Sequence, residues 1–292
     1  MTLEQLRIFI AVAERQHVTQ AASALNLTQS ATSAAIAALE VRYGVKLFDR
    51  IGRGIVLTQT GRDFLVEARS VVARARDAVQ VLHDLAGLTR GSLALAASQT
   101  VANYWLPPRL QAFQKAHPGI DIRVSIANTE QVAQAVDVGA ADLGFVEGTV
   151  TNPHLATRRI DGDELVVVVG MAHPWAARNG VTAKQLATTG WVLREPGSGT
   201  RAMFEAALKK QGVKPSDLRV ALELPSNEAV RAAVESGDCA TVISDLVVAR
   251  SLKAGVLHRL TFELPRRSFF LLRHKERHPS MAETALRESF GV

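Results

Sequence analysis

The feature that most constrains the fold is a long stretch without proline or glycine, which begins at Arg62 and ends before Gly87. Within it, apolar residues recur alternately every four and every three positions, which places them in one stripe along an α-helix. Charged residues such as Arg69 and Asp77 occupy the other faces. The stripe consists of Phe64, Ala68, Val71, Ala75, Ala78, Leu82 and Leu85.

Two structures fit this stripe. It is either the seam of a coiled coil between two copies of the chain or one face of a helix buried within a single copy. The charged residues on the other faces favour the coiled coil, because they suit a helix surrounded by water. We therefore predict a dimerisation helix over 61–89 that links an N-terminal domain, 1–60, to a C-terminal domain, 90–292.

Composition narrows the class of protein. The chain has 292 residues, 47% of them hydrophobic, which is enough for two or three compact units. The net charge of +6 suits a polyanionic partner. The single cysteine, Cys239, excludes an internal disulfide and a multi-cysteine zinc site, and we expect it to be buried and inert.

The sequence also predicts where in the cell the protein lies and whether it carries a cofactor or a metal. No apolar stretch approaches the roughly 20 residues of a membrane span, and the start carries Glu4 and no signal-peptide pattern. We expect a cytoplasmic protein with no membrane partner. We predict no cofactor and no metal: no dinucleotide fingerprint occurs, and Gly197-Ser-Gly lacks the lysine and spacing of a phosphate-binding loop.

The first sixty residues predict three helices and a basic hairpin. The first helix covers 3 to about 14, Thr19 is the expected N-cap of the second, and Thr28 is that of the third. Two short helices joined by a tight turn are typical of a helix-turn-helix, and Arg50-Ile-Gly-Arg53-Gly between apolar runs predicts a wing. The expected inner face of the third helix is Ala31, Ala34 or Ala35, Ala38 and Leu39.

The order of these motifs resembles the signature of LysR-type transcriptional regulators over about sixty residues. The motifs that carry the resemblance are Leu6-x-x-Phe9, Ala21-Ala22-x-x-Leu25, Thr28-Gln29-Ser30, Ser33-x-x-Ile36-x-x-Leu39-Glu40, Gly44-x-x-Leu47-Phe48-x-Arg50 and Leu57-Thr58-x-Thr60-Gly61. The resemblance implies sequence-specific binding to double-stranded promoter DNA. It also implies a homo-oligomer, expected to be a tetramer built from dimers that the helix over 61–89 holds together.

In that family, the helix that opens at Thr28 would enter the major groove. Glutamine pairs with adenine through two hydrogen bonds, whereas serine and threonine are more permissive readers. Arg50 and Arg53 would hold the wing on the phosphate backbone. The implied DNA-binding residues are Thr28, Gln29, Ser30, Thr32, Ser33, Arg50 and Arg53. Ser30 stands where a proline is common, and Ala34-Ala35 replace longer polar residues, so few direct base contacts are expected.

The C-terminal domain alternates apolar runs with helical stretches, which predicts an α/β fold of doubly wound sheets. By resemblance it is a periplasmic-binding-protein-like effector domain with two lobes. The expected crossings lie near Gly162-Asp163 and Pro265-Arg266. Lobe I would comprise about 91–161 and 268–292, and lobe II about 162–267.

Three loops in this domain each follow a strand and open a helix. They are Ser98-Gln99-Thr100, Asn128-Thr129 and the glycine-rich Arg194 to Arg201. Free backbone amides and hydroxyls at helix starts favour an anion, although ordinary capping explains each loop taken alone. The loops point to Ser98, Gln99, Thr100, Asn128, Thr129, Ser198, Gly199, Thr200 and Arg201 as ligand-binding residues, and the resemblance adds Glu147.

Arg194 to Arg201 and Asn227-Glu228-Ala229-Val230 resemble the branch of the family that regulates sulfur assimilation and carbon fixation, whose members sense small oxyanions or phosphorylated metabolites. Glu147 fits an anion only if it is protonated, turned away, or bonded to a protonated or amine-bearing ligand. The sequence therefore predicts a small-molecule effector, anionic in character, bound between the two lobes.

Two other classes of protein, an enzyme and a transport-type solute-binding protein, are less consistent with the sequence. An enzyme is disfavoured because no Gly-x-Ser-x-Gly elbow and no His/Asp/Glu cluster at ligand spacing occurs in the sequence. A transport-type solute-binding protein without DNA function would fit the C-terminal pattern alone. The N-terminal helix-turn-helix pattern and the missing export signal argue against it.

Overall fold

The computed structural model describes residues 1–51, 54–85 and 91–292. The chain divides into two compact units, the first comprising 1–88 and 138–140 and the second comprising 89–137 and 141–292. The described part contains no helix that is both long and apolar enough to cross a membrane.

The N-terminal unit contains α1 (Leu3–Arg15), α2 (Val18–Ala24), α3 (Gln29–Tyr43), β1 (Phe48–Ile51), β2 (Gly54–Leu57) and α4 (Gln59–Leu85). Its core gathers around Phe9, whose ring lies 5.5 Å from that of Phe48 and 4.9 Å from that of Phe64. The two strands form an antiparallel hairpin between α3 and α4. This is the helix-turn-helix with a wing that the sequence predicted.

Two local predictions in this unit were wrong. The N-cap of α2 is His17, which accepts a hydrogen bond from the Gln20 amide, and not Thr19. The inner face of α3 is formed by Thr32, Ile36 and Leu39. Of the residues assigned to it, Leu39 is buried and Ala35 packs against the core, whereas Ala31, Ala34 and Ala38 are exposed, because the α3 face that packs on α1 is rotated away from them.

The apolar stripe on α4 matches a different prediction in each part: its first part is buried within one copy of the chain, and its later part is exposed, as the seam of a coiled coil would be. Near the start of the helix, Phe64 and Ala68 pack into the core of the N-terminal unit. Farther along, Val71 and Leu82 are 44% and 65% exposed. Among the described side chains of the stripe, those near the start of the helix are therefore more buried than those farther along. Leu85, the last residue of the predicted stripe, has no described side chain.

The C-terminal unit is built on one continuous sheet. Its strands are β3 (Gly91–Ser98), β4 (Ile120–Ala127), β5 (Leu143–Glu147), β6 (Leu155–Gly170), β7 (Gly190–Arg194), β8 (Arg219–Leu224), β9 (Ala240–Ser244), β10 (Leu257–Leu260) and β11 (Arg266–His274). They follow the order β4-β3-β5-β11-β6-β9-β7-β8, and β10 also pairs with β6. Parallel pairs lie within each half of the sheet, whereas β6 and β11 run antiparallel to their neighbours.

Strand β6 joins the two halves of the sheet because it changes partner along its length. Up to Glu164 it pairs with β11, and from Leu165 it pairs with β9. We refer to the half with β3, β4, β5 and β11 as lobe I and to the half with β7 to β10 as lobe II. Each lobe has its own apolar core, centred on Phe145 and Phe269 in lobe I and on Trp191 and Phe204 in lobe II.

Helices connect the strands in both lobes. They are α5 (Leu106–Ala116), α6 (Thr129–Asp137), α7 (Gly199–Lys210), α8 (Asn227–Ser236), α9 (Asp245–Lys253) and α10 (Met281–Ser289). Between β3 and α5 the chain forms one turn of π-helix over Val101–Trp105. Pro107 and Pro108 lack N–H donors, so a regular α-helix begins only at Leu106.

Candidate functional site

The start of α3 presents polar side chains on the surface of the N-terminal unit. Thr28, Gln29 and Ser30 are exposed, and Ser33 is half-buried. Gln29 and Ser33 line one shallow groove together with Arg50 of the wing. The fold thus brings the predicted side chains of the third helix and the wing onto one surface.

Thr32 does not belong to that surface. Its side chain is fully buried, and its hydroxyl donates to the Thr28 carbonyl at 3.1 Å. The prediction that Thr32 reads bases was therefore wrong, because its position on the helix faces the core. Arg53 lies outside the described residues.

Two side chains fix the geometry of this surface. The Thr28 hydroxyl accepts from the Ala31 amide at 3.2 Å and caps α3, as the sequence predicted. Glu40 accepts hydrogen bonds from the Leu47 and Phe48 amides at 2.7 and 3.2 Å. Because Glu40 belongs to α3 and Phe48 begins β1, this carboxylate ties the wing to the helix.

In the C-terminal unit, the three predicted loops meet where lobe I faces lobe II. The Glu130 amide donates to the Gly197 carbonyl at 3.3 Å, and the Asn128 side chain donates to Glu195 at 3.4 Å. The Thr129 hydroxyl donates to the Glu147 carbonyl at 3.2 Å. The cleft therefore brings together polar groups from α6, β5 and the loop before α7.

The floor of this cleft holds a buried cation between two buried carboxyl groups. The Arg267 guanidinium donates to both oxygens of Asp163, at 2.6 Å through Nε and in a shorter contact through Nη2. It also donates through Nη1 to the Thr200 hydroxyl at 2.8 Å. Glu147 lies farther away, with Oε1 3.7 Å from Nη1, while its other oxygen is in close contact with the Ser98 hydroxyl.

Burial favours the protonated form of Glu147. It raises the pKa of Glu147 above its usual value, and the nearby Arg267 charge only partly offsets that effect. Sequence reasoning missed Asp163 and Arg267 as site residues, although it placed the chain crossings at their positions. They are separated by 104 residues, so no local pattern could link them.

A second polar network joins the lobes on the other side of the cleft. The Asn227 side chain donates to the Thr100 hydroxyl at 3.1 Å and accepts from Arg194 at 2.8 Å. The Gln99 side chain accepts from the Asn227 amide and donates to the Pro225 carbonyl, both at 2.8 Å. The Gln99 side chain thus accepts the hydrogen bond from the first amide of α8, which an anion could otherwise accept.

Two predicted ligand residues of the glycine-rich loop have different surroundings. Ser198 is 2% exposed, and its hydroxyl has no hydrogen-bond partner among the residues that the structure describes. Arg201 was predicted to supply charge to a ligand, but its guanidinium donates to Glu205 at 2.8 Å, to Glu223 at 2.5 Å and to the Arg194 carbonyl. Its charge is therefore already paired within lobe II.

A cavity of about 610 Å³ continues from the cleft between α6 and α7. Thr129, Glu147 and Gly199 line its inner end, while Ala133 and Met203 form part of its apolar wall. Of the predicted ligand residues, these three therefore border a space large enough for a small metabolite, and the others lie outside its lining.

Outside the cleft, the fold gathers Asp137, His154 and His274, whose ligand atoms lie within 4.8 Å of one another. The sequence did not predict this cluster, because its members come from three distant segments. His154 Nδ1 lies 3.0 Å from Asp137, and His274 Nδ1 accepts from the Glu276 amide at 3.2 Å. The cluster is partly exposed, and such groups are common without an ion, so we assign no metal to it.

The winged helix-turn-helix and the two-lobed domain with its polar cleft define a ligand-responsive regulator of the helix-turn-helix class. The family model for the bacterial regulatory helix-turn-helix protein, lysR family, matches residues 3–62, and that for the LysR substrate binding domain matches residues 86–291. The chain belongs to the LysR family of bacterial transcriptional regulators.

Curated relatives agree with the predicted branches of the family. The chain is 35% identical to the uncharacterized HTH-type transcriptional regulator YeiE of Escherichia coli K12, over 97% of this chain and 94% of the relative. It is 34% identical to the RuBisCO operon transcriptional regulator of Allochromatium vinosum, over 99% and 95%. It is 31% identical to the regulator CysL of Bacillus subtilis, over 99% and 95%.

Solved structures show the same architecture. The crystal structure of CbnR, a LysR family transcriptional regulator, superposes on this chain with a TM-score of 0.71 and 21% sequence identity. The match covers 100% of this chain and 98% of the CbnR chain. The regulatory domain of CcmR from Synechocystis PCC6803, in complex with 2-PG, covers 69% of this chain and 97% of its own. Its TM-score is 0.62 and its sequence identity is 26%.

Proposed function

We propose that this protein binds promoter DNA sequence-specifically, and that a small anionic or carboxylate effector in the cleft of the C-terminal unit controls its activity. The observation that most supports an effector site is the Ser198 hydroxyl at the start of α7, which is buried and has no hydrogen-bond partner among the described residues. A buried hydroxyl that makes no hydrogen bond costs free energy, so its retention supports a ligand.

The chemistry of the surrounding residues supports an anion. Ser98, Thr100, Thr129 and Thr200 bring hydroxyl groups into the cleft, and Gly199 opens α7 with its free amides. Gln99 and Asn128 complete the proposed contacts from lobe I. The 2-PG (2-phosphoglycolate) in the related CcmR domain is an anion of this class. Arg201 is left out of the proposed set because Glu205 and Glu223 pair its charge.

We assign the DNA contacts to Thr28, Gln29, Ser30, Ser33 and Arg50 of the N-terminal unit. As domains we propose 1–60 for DNA, 61–89 for dimerisation and 90–292 for the effector. The exposed later stripe on α4 supports a homodimer, and two dimers would form a tetramer on paired half-sites. Such a regulator acts in the bacterial cytoplasm, where its DNA lies, and we expect no catalytic activity.

The effector would act by changing the relative position of the lobes. In the structure, Gln99 bridges lobe I to the first amide of α8, and a bound anion would compete for that amide. A ligand shifts such an equilibrium only through its different affinity for the two arrangements. DNA footprints of the full chain with and without saturating effector should therefore differ, and identical footprints would reject this mechanism.

The effector class is tested by thermal unfolding of the full chain against sulfate, phosphate, phosphoenolpyruvate, sugar phosphates, 2-phosphoglycolate and amino acids. A ligand at a hundred times its Kd should stabilise the protein by about 2.7 kcal/mol. A response to one anion class supports the proposal. A flat response to every anion contradicts it.

Ser198→Ala is expected to have two effects of opposite sign. Removing a buried, unpaired hydroxyl should raise the unfolding free energy by about 1 kcal/mol, because the desolvation cost disappears. It should also weaken effector binding about tenfold, since about 1–1.5 kcal/mol of hydrogen bonding is lost. Ser236→Ala, an exposed serine on α8, is the control. Unchanged effector affinity in Ser198→Ala would remove this hydroxyl from the site.

Gln29→Ala is expected to weaken specific DNA binding by about 1–3 kcal/mol and to relax the preference at one base pair. The reason is that Gln29 is exposed at the first turn of α3, from which its amide would reach base edges in the proposed complex. Binding of the full chain to operator and scrambled duplexes measures both effects. Gln114→Ala, in α5 of the other unit, serves as the control. An equal loss on both duplexes would show a contact without sequence selectivity.

A further inference from the structure

The buried cluster at the cleft floor has one cation for two carboxyl groups. Arg267 and Glu147 are 1% and 2% exposed, and the Asp163 side chain is 1% exposed. Asp163 receives two hydrogen bonds from the guanidinium and a third from the Ser244 hydroxyl at 2.5 Å. These three donors all require Asp163 to accept hydrogen bonds, which suits a carboxylate.

Glu147 is placed differently. Its Oε1 lies 3.7 Å from Arg267 Nη1, beyond hydrogen-bond distance, and that nitrogen already donates to Thr200. Its Oε2 contacts a neutral partner, the Ser98 hydroxyl. Since Arg267 is taken up by Asp163, a second negative charge here would be buried without its own hydrogen-bonded cation.

The other charged groups around Glu147 do not supply that cation. Arg194, on β7, is held by both oxygens of the neighbouring Glu195 and by Asn227. Asp163, on β6, adds a negative charge that further disfavours ionisation of Glu147. From α6, the Thr129 hydroxyl donates to the main-chain carbonyl of Glu147 and brings no charge. The neutral form of Glu147 is consistent with every neighbour.

We propose that Glu147 carries a proton at neutral pH and donates a hydrogen bond to an oxoanion in the cleft, so that effector binding is coupled to protonation of this one residue. This inference rests on the proposed function, since it specifies how the same cleft accepts its ligand. It accounts for a glutamate in an anion site, because an ionised Glu147 would repel the ligand, whereas the acid form donates to it. The oxoanion is the class of ligand that such a donor selects.

The coupling predicts how affinity depends on pH. The acid form binds and the ionised form does not, so affinity should be constant at low pH. It should then fall about tenfold per pH unit above the titration of Glu147. Glu147→Gln keeps a neutral donor at any pH. Its affinity for an oxoanion should therefore no longer depend on pH.

Two measurements on the full chain test the proposal. Infrared difference spectroscopy of wild type against Glu147→Gln at neutral pH should show a protonated carboxyl band that only the wild type has. Titration calorimetry with sulfate, whose charge is constant over about pH 5 to about pH 9, should show falling affinity for wild type and a flat profile for Glu147→Gln. Glu130→Gln, which removes an exposed acid beside the same cavity, should keep the wild-type slope.

The outcomes separate this inference from the proposed function. Sulfate binding with the same pH profile in wild type and Glu147→Gln overturns the proton coupling and leaves the anion site standing. A missing carboxyl band overturns it without reference to any ligand. If no oxoanion binds at any pH, both the donor role of Glu147 and the proposed effector class are rejected, even if the protonated carboxyl band is present.

Discussion

Replacing Arg267 by methionine is expected to destabilise the C-terminal unit by about 3–5 kcal/mol, the cost of removing one partner from a buried ion pair. The substitution leaves Asp163 buried without the two hydrogen bonds that hold its charge. Thermal and denaturant unfolding of the full chain at neutral pH, followed by a signal from the C-terminal unit, measures the loss.

The neighbouring arginine provides a matched control. Arg266 is on the same strand, but its side chain is 90% exposed and lies 3.7 Å from Glu164, so Arg266→Met should leave the midpoint almost unchanged. If Arg267→Met does not fold, the double variant with Asp163→Asn should recover part of the stability, because it removes the orphaned charge. Equal midpoints for the two single variants would contradict the buried pair.

Gly199→Ala is expected to disrupt the closed cleft. An added Cβ would lie 2.5 Å from the Glu147 carbonyl oxygen and 2.6 Å from the Thr129 hydroxyl. A carbonyl oxygen of a central strand cannot move aside as a flexible side chain would, so α7 and lobe I must separate. The expected cost is about 1–3 kcal/mol of stability, as for other overpacked sites. If the same cost falls on the ligand-bound form, effector affinity should drop by about fivefold or more, since about 1.4 kcal/mol corresponds to tenfold.

Unfolding and ligand titration of the full chain test this result. Gly54→Ala is the control, because its Cβ would meet only the Ile51 carbonyl at 3.6 Å, an ordinary contact in the N-terminal unit. The expected pattern is a weaker effector response in Gly199→Ala and an unchanged one in Gly54→Ala. Effector affinity at the wild-type level in Gly199→Ala would mean that the closed cleft is not the binding form.

Much of the architecture was predictable because its signals are local. The Thr28 cap, the helix-turn-helix and the long helix after the wing follow from residues within a few turns of one another. The strand-loop-helix order likewise placed Ser98, Thr129 and Ser198 at the ends of strands. Ser98 and Thr129 follow β3 and β4, which are parallel neighbours, so their proximity follows from that order, whereas Ser198 follows β7 of the other lobe and only the fold brings it near them.

Other features depended on packing that the local pattern does not contain. Thr32 looked like a reader of bases because it lies between Ser30 and Ser33, yet the angle at which α3 packs buries it completely. Arg201 looked available for a ligand until the fold brought Glu223 within 2.5 Å of it. In both cases the residue type and spacing were right for the predicted role, and a distant element decided the outcome.

The sequence by itself determined the class of protein, the order of its elements and the loops that carry polar groups, since short-range periodicity and capping specify these. Only the tertiary structure decided which charges meet at the cleft floor. Glu147, Asp163 and Arg267 come from three strands, and the Asp163–Arg267 pair spans 104 residues. Their pairing follows from how β5, β6 and β11 align in the sheet, which is a property of the whole fold.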